Sequence, residues 1–358
     1  MDEPHKPSLP EAPPTAPDDP QERGKSPTRW ILRGVLFMFV LVAVVLGYAL
    51  YLMGPTGTIA EIRIPKGSGA AAVGRLLEQA GLVRSGYLFT LYLRFSGQDK
   101  ELKPGYYKLE GKGLRAIALA ITDESRPLTV RITFPEGWRA VDMAQRLSEN
   151  NLDGPKFLEL VNNPPPELRP AEARGPTLEG YLFPATYEFP LDYTAEDVIR
   201  TMTRRMEQEF TPSAQSRLKQ LGLSSIHDWV TLASIVQAEA ANSSEKPVIA
   251  GIFLNRLEIG MPLQADPTVA YGLGKRLPEL NRSAGDFEKD TPYNSYTRRG
   301  LPPGAIGNPG AEALRAVLNP TRTNEKGQKY LYFLHAQGRL FLNVDFQGHL
   351  RDTAKYYR

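Results

Sequence analysis

Hydrophobic and polar positions are spread unevenly along this chain, and the changes in pattern mark its parts. Up to about Arg29 the residues are mainly Pro, Asp, Glu and Lys, with almost no large apolar side chains. Such a composition buries too little surface to order itself, so a disordered tail is expected over residues 1–30. Residues 34–53 then carry no charge at all. About twenty helical positions at about 1.5 Å each span about 30 Å, the depth of a hydrocarbon core. A transmembrane helix is expected over residues 31–53. The long polar tail in front and the lack of an Ala-x-Ala-like site favour an uncleaved anchor over a signal peptide.

Beyond this run the periodicity shortens. Ile62-Arg-Ile-Pro-Lys-Gly67 leads into a helical pattern at 71–78, and Val130-Arg-Ile-Thr-Phe-Pro-Glu-Gly137 leads into another at 141–148. Each strand-like run ends at Pro-x-Gly, and each helical run closes on a Leu, Leu77 or Leu147, at the same distance past that Gly. A strand–turn–helix unit used twice is predicted, with a further short strand at 105–109. The run Asn162-Asn-Pro-Pro-Pro166, with more Pro and charge up to Pro176, has the composition of a linker or an irregular lobe connection. Helical patterns follow at 195–209, 213–221, 226–240 and 246–257. The last hundred or so residues are rich in Gly, Pro, Asn and Tyr, as binding surfaces built from loops are. The predicted class is α+β: one transmembrane helix, a small α+β region over 54–165, and a mixed α/β catalytic domain with a loop-rich cleft over 166–358.

Charge narrows the partners. Lys plus Arg number 43 against 40 Asp plus Glu, too even a balance for a nucleic-acid groove. Lys25, Arg29 and Arg33 precede the apolar run, and the next basic residues, Arg63 and Lys66, lie well beyond it. By the positive-inside rule the N-terminus is cytoplasmic and the chemistry extracytoplasmic. Cysteine is absent, which excludes disulfides, thiolate catalysis and Cys-ligated metal. His5, His227, His335 and His349 have no ligand spacing, so neither metal nor other cofactor is expected. Ser234 lacks the context of a nucleophile elbow.

Glu239 is the most informative residue. At about 100° per residue it falls between Leu232 and Ile235 on the apolar side of the 229–240 helix, with Trp229 and Val236. A carboxyl there is desolvated or lines a cleft, and desolvation raises its pKa toward that of a proton donor. The blander reading is an acid at the edge of a core stripe. Downstream, Leu263-Gln-Ala-Asp-Pro-Thr268, Pro292-Tyr-Asn-Ser-Tyr296 and Gly300-Leu-Pro-Pro-Gly304 interleave amides, hydroxyls and aromatics with rigid turns. That mixture suits a carbohydrate groove, although Asp266 could instead cap a turn and Tyr293 could be core.

The motif set resembles the endolytic murein transglycosylases, the YceG-like family. Leu178-Glu-Gly-Tyr-Leu-Phe-Pro184, Leu232-Ala-Ser-Ile-Val-Gln-Ala-Glu239, Phe253-Leu-Asn-Arg-Leu257, Gly260-Met-Pro-Leu-Gln-Ala-Asp-Pro-Thr-Val269, Tyr293-Asn-Ser-Tyr296 and Gly300-Leu-Pro-Pro-Gly304 carry it, in family order. The 54–165 region looks like LysM domains, which bind the N-acetylated glycan of cell walls, although a plain spacer fits it as well. In the family's Ile-Val-Glu-x-Glu pattern the catalytic acid is the second acidic position, here Glu239, while Gln237 replaces the first. Phe341 and His349 fall near a C-terminal family pattern with a His in each half, and Arg339 stands where the first would be.

The resemblance implies cleavage of the MurNAc-β-1,4-GlcNAc bond in nascent peptidoglycan, with a 1,6-anhydromuramyl end. Association with peptidoglycan synthases of the elongation or division machinery follows only by family analogy. The expected substrate contacts are Gln264 and Asn294 on an acetamido group, Tyr293 or Tyr296 beside the ring, and Thr268, Asp266 and Glu179 around them. A second carboxylate facing Glu239, from Glu179 or Asp266, would instead indicate a lysozyme-like hydrolase. A non-catalytic wall-binding scaffold is the alternative from another class.

Overall fold

The computed structural model describes residues 27–65, 67–124 and 128–356, so nearly all of the tail expected over 1–30 lies outside the described residues. The class is mixed α+β. Helix α1 (Pro27–Met53) begins before the expected boundary at residue 31. Its Trp30–Met53 segment is long and apolar enough to cross a membrane, and it packs against nothing that would bury it, as fits a single-pass anchor. Arg84 closes the C-terminal end of α1, donating to the carbonyls of Tyr51 (2.6 Å) and Pro55 (2.7 Å) and lying 4.2 Å over the Tyr51 ring. A cation is favourable where helix carbonyls lack partners.

Both strand–turn–helix units are completed in the same order, strand, helix, helix, strand. The first comprises β1 (Ile59–Ile64), α2 (Ala70–Gln79), α3 (Gly86–Ser96) and β2 (Gly105–Glu110), with β1 antiparallel to β2 and Ile62 opposite Tyr107. Helix α4 (Leu114–Leu119) follows. The second comprises β3 (Thr129–Thr133), α5 (Ala140–Glu149), α6 (Gly154–Asn162) and β4 (Thr186–Pro190), with Ile132 opposite Tyr187. Equivalent positions are filled alike. Val73 and Leu77 are buried in one unit, Met143 and Leu147 in the other. Gly81 and Asn151 take the left-handed turn after the first helix, at φ 70° and 61°.

Two cores result. One gathers the first unit and α4, from Ile62 to Ile121. The other runs from Ile132 to Val317 and takes in β3, α5 and α6, so the division expected at residues 165/166 passes through it. The Pro-rich stretch after Asn162 is not a linker between lobes. Leu168, Ala173, Leu178, Tyr181, Leu182 and Phe183 hold it in the larger core, its prolines setting an irregular backbone while these side chains anchor it.

Helices α7 (Ala195–Glu207), α8 (Pro212–Gln220), α9 (Ile226–Glu239), α10 (Lys246–Glu258), α11 (Asp266–Gly272) and α12 (Ala311–Leu318) make up most of the rest. Thr194 and Asp197 form a capping box on α7, and Ser225 caps α9. Every residue of α9 from Trp229 to Val236 is buried, so α9 is a core helix rather than a helix with a single apolar stripe. Its indole donates to the Leu314 carbonyl of α12 at 2.9 Å. The chain ends in an antiparallel hairpin, β5 (Tyr332–Ala336) with β6 (Arg339–Asn343), and helix α13 (Phe346–Tyr356).

The helices of each unit cross where side chains are small. A Cβ on Gly154 would lie 2.0 Å from the Ala144 carbonyl oxygen. Gly154→Ala is therefore expected to destabilise the fold by about 1–3 kcal/mol, measured by denaturant unfolding of the larger core.

Candidate active site

Helix α9 delivers Glu239 as its last residue into a cleft of about 510 Å³. One wall comes from Arg256 of α10 and from Gln264 and Asp266 at the start of α11. The loop after α11 adds Leu277, Arg282 and Tyr296. The C-terminal hairpin and α13 close the other side with Tyr332, Phe333, Leu334, His335, Phe346 and His349.

Glu239 is half-buried, and among the described residues no hydrogen bond satisfies its carboxyl. Burial pushes its pKa up to about 8, helped by the negative charge of Asp266 and opposed by Arg256. Its place at the carbonyl end of α9 also disfavours the carboxylate. At neutral pH it is a protonated acid open to the cleft, the state a general acid needs.

Asp266 is the second carboxylate here. It accepts a hydrogen bond from the Tyr296 hydroxyl at 2.5 Å and lies 3.8 Å from the Arg282 guanidinium, which covers the Phe287 ring. Burial and then the Asp266 contact raise the Tyr296 pKa, so the phenol keeps its proton and remains a donor. Gln264 is exposed with its backbone at φ 49°, a conformation that non-glycine residues adopt at a cost of about 1–3 kcal/mol. The bond from Gln264 N–H to the Ser295 carbonyl, 3.1 Å, helps hold it there.

Glu239, Gln264, Asp266 and Tyr296 thus share the cleft, and the other four residues expected in it do not line it. Glu179 is buried, accepting from the Ala140 amide (3.0 Å) and the Asn308 amide group (2.7 Å), and burial lifts its pKa to about 7. Thr268 is sealed in, donating to the Ala265 carbonyl at 2.6 Å. Asn294 spends its NH2 on the carbonyls of Phe287 and Lys289 and its oxygen on the Tyr296 amide. Tyr293 packs on Tyr271 and lines a neighbouring concavity made by 292–295 and 298–303.

Sequence reasoning passed over the C-terminal wall. His335 and His349 show no metal-ligand spacing, and His349 alone of the two falls near the family's C-terminal pattern. The β5–β6 hairpin folds them onto one cleft. His335 pairs with Glu245 at 2.9 Å, and His349 stacks on Tyr332 with a buried Nδ1 that has no partner among the described residues. Burial, and then Arg256, lower the His349 pKa, which keeps that ring neutral.

Comparison with known proteins follows the same residues. A protein of Bacillus subtilis named endolytic murein transglycosylase is 31% identical over 316 residues, covering 84% of this chain and 85% of its own. One of the same name from Streptococcus pneumoniae is 31% identical over 327 residues, 82% of this chain and 58% of its own length. The crystal structure of a yceG-like protein from Listeria monocytogenes superposes with a TM-score of 0.53 at 28% identity, over 82% of this chain and 98% of that one. The sequence model of the YceG-like family matches residues 62–355, from the first strand to the last helix, and the chain belongs to that family.

Proposed function

We propose that this protein is a membrane-anchored endolytic transglycosylase that cuts the MurNAc-β-1,4-GlcNAc bond within nascent peptidoglycan strands and leaves a 1,6-anhydromuramyl end. The observation that carries the reading is Glu239, an acid with a pKa of about 8 and no hydrogen-bond partner among the described residues, at the floor of a cleft of aromatic, amide and guanidinium groups. Glu239 protonates the leaving oxygen. As a carboxylate it then takes the proton from the C6 hydroxyl of the muramyl sugar as that hydroxyl closes on C1, and no water is consumed. Asp266 supplies fixed negative charge toward the cationic sugar ring, and Gln264 and the neutral His349 are suited to hold hydroxyl or acetamido groups.

The same Asp266 favours a second reading, a muramidase in which it serves as partner carboxylate to Glu239 and water is consumed. Its engagement with Tyr296 and Arg282 supports the electrostatic role instead. For the rest of the chain, α1 is the anchor, with the N-terminus cytoplasmic by its flanking charges. The βααβ order of the first unit supports a LysM-like glycan contact. Strand termination beside peptidoglycan synthases is the cellular role proposed, by analogy.

Full-length protein in detergent, incubated with uncrosslinked peptidoglycan, should release products lighter by one water than muramidase products. Mass spectrometry reads this directly, and reducing ends instead would establish the hydrolase. Glu239→Gln should lower the rate by about 10²–10⁴.

The activity should be high at neutral pH and fall as pH rises through about 8, where Glu239 loses its proton. Asp266→Asn removes a charge that raises the Glu239 pKa, so it should move this falling limb to lower pH without changing product mass. A pH–rate profile of each protein checks both.

The raised pKa also sets a stability cost. Below the ordinary value of 4.5 both folded and unfolded chains hold the Glu239 proton. Between there and about 8 only the folded chain does, so stability declines through this window and levels off above it. Glu239→Gln should therefore raise stability above pH 8 by something on the order of 2 kcal/mol, read by denaturant unfolding at pH 5 and pH 9.

A further inference from the structure

We infer that Trp138 and the turn that carries it form a sugar-binding subsite of the groove that holds Glu239, contributed by the second βααβ unit. The inference rests on the glycan reading above and extends it to residues outside the catalytic cleft.

A second concavity, about 320 Å³, lies beside the first and is lined by Trp138, Arg139, Asp142, Ala238, Pro267 and Leu277 among others. Its volume is within the range of pockets that hold small ligands. Leu277 lines both concavities. So do the two halves of adjacent pairs: Ala238 faces one and Glu239 the other, Pro267 one and Asp266 the other. An enzyme that cuts inside a polymer must hold sugars on both sides of the scissile bond. The larger cleft accounts for one direction away from Glu239, and this concavity provides the other.

The turn is held beside the catalytic helix by the Asn308 loop and by α10. Gly137 N–H donates to the Asn308 carbonyl at 2.7 Å, and the Trp138 carbonyl accepts from Asn308 N–H at 3.0 Å. Gly137 sits at φ 79°, where a Cβ would come within 3.3 Å of the Gln237 side chain of α9. Glu136 meets the buried Lys246 of α10 at 3.3 Å. Trp138 is therefore presented at a fixed position relative to Glu239. Arg146 lies 4.7 Å over the half-buried indole, which packs partly on the larger core and also lines the concavity. Arg139, tied to the Lys275 carbonyl at 2.9 Å, and the ion pair of Arg276 with Asp142 supply polar groups at the rim.

The internal repeat gives an independent comparison. The register that aligns Ile62 with Ile132 and Leu77 with Leu147 aligns Gly67-Ser68-Gly69 with Gly137-Trp138-Arg139. The turn is retained in both units, yet only the copy against α9 carries an aromatic, half-buried and lining the concavity, and a guanidinium. The turn itself does not call for them, since the first unit closes its core with Ser68 and Gly69 at these positions. An indole face stacked on the apolar face of a pyranose, with charged donors at its edge, is the chemistry that such a pair offers an N-acetylated glycan.

The test uses full-length Glu239→Gln in detergent, which binds without cutting, and soluble peptidoglycan glycans of one to four disaccharides. The chain has 3 tryptophans, Trp30 in α1 and Trp229 buried in the core being the others. Adding the longest glycan should change the tryptophan emission, and the added substitution Trp138→Phe should abolish that change while keeping most of the affinity. Adding Trp138→Leu should weaken binding of the longest glycan about tenfold and leave the single disaccharide unaffected. Emission changes that persist in Trp138→Phe, or undiminished binding of the longest glycan by Trp138→Leu, would overturn the subsite while leaving the Glu239 reading intact. If Glu239→Gln binds no glycan of any length, the glycan reading fails with it. The phenylalanine variant preserves the ring and its packing, so the fluorescence arm decides even if the leucine variant is unstable.

Discussion

One buried polar knot fixes the geometry on which the site depends. Asn308 and Glu179 are both sealed from water, and between them they tie three segments that are remote in sequence. The Asn308 carboxamide oxygen accepts from the amides of Gly180 and Leu182, and its NH2 donates to Glu179 and to the Trp138 carbonyl. Glu179 in turn caps the start of α5 through the Ala140 amide. Gly180, at φ 91°, lets this loop press against Ala305 and Val230 of α9, where any Cβ would collide. Ser234 of α9 closes the circuit by accepting from the Ile306 amide at 3.1 Å. Removing one member would leave several buried donors unpaired, a heavier loss than that of any single bond.

The knot also shows why a raised pKa does not by itself identify a catalytic acid. Glu179 and Glu239 are both pushed well above the usual carboxylate range, to about 7 and about 8, and burial is the leading cause in each. Their surroundings differ. Glu179, which is buried, has its oxygens satisfied by an amide and a carboxamide and does not line the cleft that holds Glu239. Glu239 has neither restriction. Accessibility together with unmet hydrogen-bonding capacity separates the candidate acid from the structural one.

Much of this was legible in the sequence, and the failures have a common cause. The apolar span, the two Pro-x-Gly units and helices α7 to α10 follow from local periodicity, whereas α9 is buried all round from Trp229 to Val236 and shows no single apolar stripe by which to place Glu239. Glu179, Thr268 and Asn294 cannot be sorted from the sequence, because polar residues in a matched motif look alike whether they face a groove or tie loops together. Their hydrogen-bond partners, Ala140, Ser295 and Phe287, are supplied by tertiary structure. In the Pro-rich stretch, proline density conceals the apolar positions, from Leu168 to Phe183, that anchor it in the larger core. His335 and His349 line one cleft only because the β5–β6 hairpin and α13 fold back over it, which spacing cannot reveal.

The dipeptide Asn255-Arg256 explains how loop-rich walls can hold a defined cleft. Arg256 is buried, and its guanidinium donates to the Leu263 carbonyl at 2.5 Å and to the Leu331 carbonyl at 2.7 Å. Those carbonyls belong to the segment entering α11 and to the start of the C-terminal hairpin, which are the two opposing walls. Asn255 adds bonds to the carbonyls of Arg322 and Tyr330 on the hairpin side. Both walls are thus fastened to one turn of α10, a helix that packs on α9. The positive charge that holds them also bears on Glu239, lowering a pKa that burial alone would raise further. A lysine here would keep the charge but could not reach two carbonyls with a planar fork, so the choice of arginine couples the width of the cleft to the acidity of the group at its floor.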